Sequence, residues 1–164
     1  MGEEAGFDTR WGWDDTGGAM VEFLAISLVL IVPLIYLVIT LGLVQAAAYA
    51  AEGAARDAAR ASVLVGVEAL ENGATDGDAG AAAQARAEAA LSVALADFAV
   101  DPTQADLATS CSANPCFTPG SDVTARVTIR VPLPGVPGFV SDAGLAVTIS
   151  SESTMPVDSL GDGR

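Results

Sequence analysis

Two kinds of chemistry are open to this chain: that of carboxylates and that of one pair of cysteines. Its 164 residues include no His and no Lys, and seven Arg stand against 21 acidic residues for a formal net charge of −14. Without His or Lys there is no Ser-His-Asp or Cys-His arrangement, no Ser-Lys pair and no Schiff-base lysine. The carboxylates lie mostly in Gly- and Ala-rich stretches, where solvated surface charge is expected rather than a tuned acid-base pair. No catalytic residue is assigned, and the chain is expected not to be an enzyme. The seven Arg form no patch, so nucleic acid is not an expected partner. Cys111 and Cys116, in Cys-Ser-Ala-Asn-Pro-Cys, are the only cysteines. A short loop with an Asn-Pro turn lets them close on each other, whereas a zinc site needs four ligands and no His supplies the rest. A disulfide is expected over two free thiols, and with it an oxidising exterior. No metal and no cofactor is expected.

A third feature lies near the N-terminus, where Thr16-Gly17-Gly18-Ala19-Met20-Val21-Glu22-Phe23 sets a Gly pair and a lone carboxylate at the edge of an apolar run. A carboxylate at the centre of a membrane helix costs about 2.5–3.5 kcal/mol on insertion scales, and less near the interface. Taken alone, Glu22 is therefore read either as a headgroup-level residue or as one with a partner inside the membrane.

The elements that position these residues follow from the pattern of the chain. From Phe23 to Val44 no residue is charged, and after Glu22 the next charge is Glu52. At 1.5 Å per residue this run is about 33 Å long, enough to span a hydrocarbon core of roughly 30 Å as a helix. A cleaved signal peptide is the alternative, with Ala46-Ala47-Ala48 or Ala48-Tyr49-Ala50 as the cleavage site. The run exceeds the apolar region of a signal peptide, and the segment before it carries five acidic residues from Glu3 to Asp15 against Arg10 alone. Pro33, at mid-span, removes a backbone donor and is expected to kink or locally unwind the helix.

The junction resembles the processing site of type IV pilin-like proteins, in which a prepilin peptidase cuts after a Gly and Glu is the fifth mature residue. Cutting between Gly17 and Gly18 puts Glu22 in that place, and Glu22-Phe23 is similar to the Glu-Tyr pair of Flp pilins. After it, Ala50-Ala51-Glu52-Gly53-Ala54-Ala55-Arg56-Asp57-Ala58-Ala59-Arg60-Ala61 resembles the Ala-Arg-rich segment that follows the membrane helix in TadE-like minor pseudopilins of the tight-adherence (Flp) pilus system. The resemblance covers residues 14–66 well and the rest in outline. It implies a membrane-anchored structural and assembly subunit of pilus biogenesis or the related secretion apparatus. Its implied partners are the prepilin peptidase, the pilus platform proteins and major pilin, other pseudopilin subunits and membrane lipid. The new α-amine at Gly18 would pair with Glu22 of a neighbouring subunit, each charge offsetting the other's desolvation, so that Glu22 and Phe23 set the assembly register. The alternative function is an unprocessed single-pass anchor for a surface-binding module.

The expected fold class is α+β. A leader peptide covers 1–17, the processing site and transmembrane helix 18–44, and an exposed continuation of that helix 45–70. A linker covers 71–78, a small extracytoplasmic α+β domain 79–155 and a flexible tail 156–164. Within the domain, Asp78 is expected to cap a helix from about Ala79 to Val100 with Leu91, Leu95 and Phe98 facing the core. Asp76-Gly77-Asp78 lacks the further ligands of a calcium loop and is read as linker. Val123, Ala125, Val127, Ile129 and Val131 alternate with polar residues, as do Leu145, Val147 and Ile149, which predicts an antiparallel strand pair. The second helix, or a third strand near the cysteines, should pack on that pair. The loop Leu133 to Val140 is either a lid over the core or a contact for a partner. The membrane is expected to be crossed once, N-terminus cytoplasmic. Arg56 and Arg60 after the span favour the opposite orientation by the positive-inside rule, and the cysteine pair decides for an outside domain.

Overall fold

The computed structural model describes residues 15–135 and 146–158. Helix α1 runs from Asp15 to Glu71 and helix α2 from Asp76 to Asp97. A 3-10 turn at Pro102–Gln104 leads into strand β1 (Ala105–Cys111), followed by β2 (Asp122–Pro132) and β3 (Ala146–Pro156). The fold class is α+β. The chain divides into two compact units, residues 1–38 and 39–164.

In the first unit α1 is apolar and exposed on every side, from Met20 to Leu37. A surface helix of a water-soluble domain buries one stripe and leaves charge on the other. Here no described residue covers the large side chains. By length and composition this is the one described helix able to cross a membrane. The helix is unbroken through Pro33, with no unwound turn: one lost hydrogen bond does not end a helix whose surrounding residues are strong apolar formers.

The second unit is a three-stranded antiparallel sheet in the order β1-β2-β3 with helices on one face. β2 is central. Its residues alternate between buried Val123, Ala125, Val127, Ile129 and Val131 and outward Thr124, Arg126, Thr128 and Arg130. The outer face is joined by cross-strand polar pairs: Arg126 with Glu152 at 2.5 Å, Arg130 with Asp106 at 3.1 Å, and Thr124 with Thr154 at 2.9 Å. Such exposed pairs each contribute little to stability, about 0.2–1 kcal/mol.

The stretch 45–70, expected to be exposed, is instead the central core helix of this unit. Ala50, Ala51, Ala54, Ala55, Ala58 and Ala59 are fully buried. They form adjacent i, i+4 rows on α1, and α2 meets them with its own row of Ala79, Ala83, Ala87, Leu91 and Leu95. The core clusters show that the helices run antiparallel. Ala50 and Ala54 pack with Leu95 and Ile129, Ala58 and Ala59 with Ala87 and Ala125, and Val63 with Ala79, Ala83 and Val123. Small side chains on both helices let the backbones approach closely and bring the sheet against them, which is why Ala serves here as a core residue.

Three further details correct the sequence reading. Thr75, not Asp78, is the N-cap of α2: its Oγ1 accepts from the Asp78 N–H at 3.2 Å and donates to Asp78 Oδ2 at 2.7 Å. The bond to the third helical N–H is half of a capping box; the Asp78 carboxylate takes the Thr75 hydroxyl rather than its backbone N–H. Phe98 is 41 % exposed rather than in the core, because the helix ends at Asp97 and Ala99 turns the chain with φ 54°. Val100, whose N–H bonds back to the Leu95 carbonyl, packs on the core in its place. The expected tail also starts too early: β3 includes Pro156, and Val157 is buried with its N–H on the Ser121 carbonyl at 2.8 Å. Both the second helix and a third strand pack against the predicted strand pair. Residues 136–140 of the expected lid, Leu145, most of the leader and residues 159–164 of the tail lie outside the described residues.

Candidate processing and assembly site

Gly17 and Gly18 lie in helix α1, among its first four described residues. In a helix interior each Gly costs about 0.8–1.0 kcal/mol relative to Ala, so a turn with two Gly is held more weakly than one of Ala. A Cβ placed on Gly18 would meet nothing within 4 Å. Packing among the described residues therefore does not require Gly at this position.

Glu22 lies one turn beyond Gly18, and its side chain is exposed. It has no hydrogen bond or ion pair among the described residues. Phe23 is 69 % exposed and continues the apolar surface that starts at Met20. The helix thus presents an anionic group at the head of an apolar cylinder, with no partner for that charge among the described residues.

The second expected site is formed. Cys111 and Cys116 make a disulfide with Cα atoms 5.3 Å apart, closing the loop after β1 over a cis Asn114–Pro115 bond. Ser121 ties the loop down, its Oγ donating to the Cys116 carbonyl at 2.6 Å and lying 2.7 Å from the Thr118 carbonyl. The disulfide belongs to the second unit and the Gly17–Phe23 junction to the first.

Sequence reasoning missed a contact that anchors this loop. Phe117, next to the disulfide, is buried against Gly66 of α1, where a Cβ would come within 2.4 Å of the ring. The signal was available: Gly66 is an isolated Gly in a strong helical stretch, and such a residue commonly marks close packing.

Among the described residues no group of three or more acidic or cysteine side chains is placed to hold a metal ion. An apolar pocket of about 240 Å³ lies between Leu43, Phe98, Val131 and Pro132, with Asp101 as the single ionisable group on its lining. Asp101 caps the 3-10 turn, and the Thr103 N–H and hydroxyl hold its carboxyl below the ordinary aspartate value. No protein-family model, curated protein or solved structure compared with this chain matches it.

Proposed function

We propose that this chain is a TadE-like minor pseudopilin, a membrane-anchored structural subunit of tight-adherence pilus biogenesis or the related secretion apparatus, and not an enzyme. A prepilin peptidase removes residues 1–17. The helix from Gly18 then anchors the protein, with the N-terminus cytoplasmic and the disulfide-bearing domain outside.

One observation carries the reading. A Gly pair and a Glu22 without a partner among the described residues stand at the head of an apolar helix that is exposed on all sides and runs unbroken into the core helix of a small domain. In an assembled bundle, the α-amine of Gly18 from one subunit meets Glu22 of the next. Either charge alone in an apolar setting is costly, so only the register that pairs them is favoured. Phe23 and the apolar surface around it supply packing to lipid, to the major pilin and to other pseudopilin subunits. The disulfide supports an oxidising location for the domain, outweighing the weak positive-inside signal of Arg56 and Arg60.

The test is genetic complementation in the host. Deleting the gene is expected to abolish surface pili, and the wild-type gene to restore them. Glu22→Gln is expected to leave processing and membrane insertion intact while failing to restore pili. Pili of normal number in the deletion strain would overturn the assembly role and favour the unprocessed surface-anchored module.

A further inference from the structure

The second unit ends on one side in a sheet edge that no described strand covers, beside an acidic groove. β3 pairs with β2 through all eleven residues from Ala146 to Pro156, and no strand among the described residues lies on its other side. Every second backbone N–H and C=O along that edge therefore faces outward. Edge strands are commonly protected by shortness, charge or Pro. β3 is long for an edge, and its only such residues are Glu152 and the terminal Pro156.

Where β3 ends, a groove of about 510 Å³ opens between it and the last turns of α1. Its apolar wall is made by Val63, Leu64, Val67 and Met155, and Leu64 is 57 % exposed. Around it stand Glu68, Glu71 and Asp158, with Arg60 as the one cation. None of these four makes an ion pair among the described residues.

We propose that the β3 edge and this groove form a docking site for an extended basic segment of a partner protein, which adds as a fourth strand and lays an apolar side chain against Leu64 and Met155. A strand sends alternate side chains to each face. Those of the added strand that point to the helix side follow the line of Ile149, Ser151, Ser153 and Met155. An apolar residue over the groove with cationic residues two positions before and after it would meet the apolar wall and the three carboxylates together. Backbone pairing supplies affinity and the alternate side chains supply selection, as in other strand-addition sites. Charge argues against a second copy as the occupant, because this chain has no Lys and carries −14. The inference concerns the outer domain and holds whether or not the leader is cleaved.

The test uses the full-length protein in a neutral maltoside detergent and fluorescein-labelled peptides with the pattern Thr-Arg-Thr-Leu-Thr-Arg-Thr. Fluorescence anisotropy measures binding, and amide hydrogen exchange reads β3. The expected result is saturable binding with slowed exchange along β3, weakened about tenfold or more by the double variant E68K/E71K. Leu64→Ser, a change at an exposed position, is expected to weaken binding severalfold without charge change, as is a peptide with Leu moved by one residue. Absence of saturable binding overturns the proposal. So does equal binding by the shifted peptide or by E68K/E71K, which marks general attraction to an anionic protein. Binding without protection of β3 amides also overturns it, because that is a segment lying in the groove without pairing to the edge.

Discussion

Replacing Gly66 by Ala tests the way the disulfide loop is seated on α1. A Cβ at Gly66 would lie 2.4 Å from Phe117 Cε1 and Cζ and 2.6 Å from Cε2. Ordinary contact begins near 3.4 Å, so the ring must retreat by about 1 Å. It has little freedom to do so. The preceding residue is held by the disulfide, and Ser121 holds the Cys116 and Thr118 carbonyls on either side of the ring. Overpacking of this kind costs about 1–3 kcal/mol. The intrinsic helix gain of Ala over Gly returns about 1 kcal/mol. The net expectation is a loss of up to about 2 kcal/mol, or a melting temperature lower by roughly 4–8 °C for each kcal/mol in a domain of this size. Gly53 supplies the control, since a Cβ there meets nothing within 4 Å; Gly53→Ala should raise stability by up to about 1 kcal/mol. Thermal unfolding of the second unit, followed by circular dichroism in detergent, compares the two. Adding Phe117→Leu to Gly66→Ala should recover part of the steric loss through a coupling that neither single change predicts. If Gly66→Ala stabilises as much as Gly53→Ala, the ring does not sit where the argument puts it.

Other expectations follow from single contacts. Ser62 Oγ is buried on the Ala face of α1 with no partner among the described residues, so Ser62→Ala should leave stability unchanged or raise it by about 1 kcal/mol in the same melts. Cys111→Ser with Cys116→Ser opens a loop whose ends are five residues apart, and chain entropy sets the loss at about 2 kcal/mol; reductant should lower the melting temperature of the wild type but not of the double variant. The depressed Asp101 carboxyl stabilises its turn above the unfolded-state value, and that contribution is lost as pH falls through the lower folded-state value. A carbon-detected titration should find the Asp101 midpoint below that of the same residue in urea, and Thr103→Ala should move it upward.

Much of the fold was legible where the period was clean. β2 alternates apolar and polar residues from Val123 to Val131, and its buried face follows from that pattern. The exposed apolar helix is legible because no charge interrupts Phe23 to Val44. The burial of 45–70 was hidden because Ala is equally at home on a surface or in a core, and only the i, i+4 rows shared with α2 reveal which. Phe98 misled because periodicity was extended beyond the helix end set by Ala99. β1 leaves little pattern, since only Ala105 and Leu107 are even partly buried, and it was anticipated from the need of a hairpin for further cover. At the candidate site, Glu22 was singled out by its isolation in the sequence at the edge of the apolar run, and it has no partner among the described residues. The groove beside β3 was not legible, because it joins Leu64 and Glu68 of α1 to Met155 and Asp158, far apart in sequence.

The central claim is tested most directly by the N-terminal residue and intact mass of the protein purified from its host membrane, with the prepilin peptidase present and deleted. The account predicts a chain beginning at Gly18 when the peptidase is present and the uncut leader when it is absent. A leader retained in both strains would contradict it, leaving an anchored domain without pilin-type processing, and a start at Tyr49 or Ala51 would make the apolar helix a signal peptide.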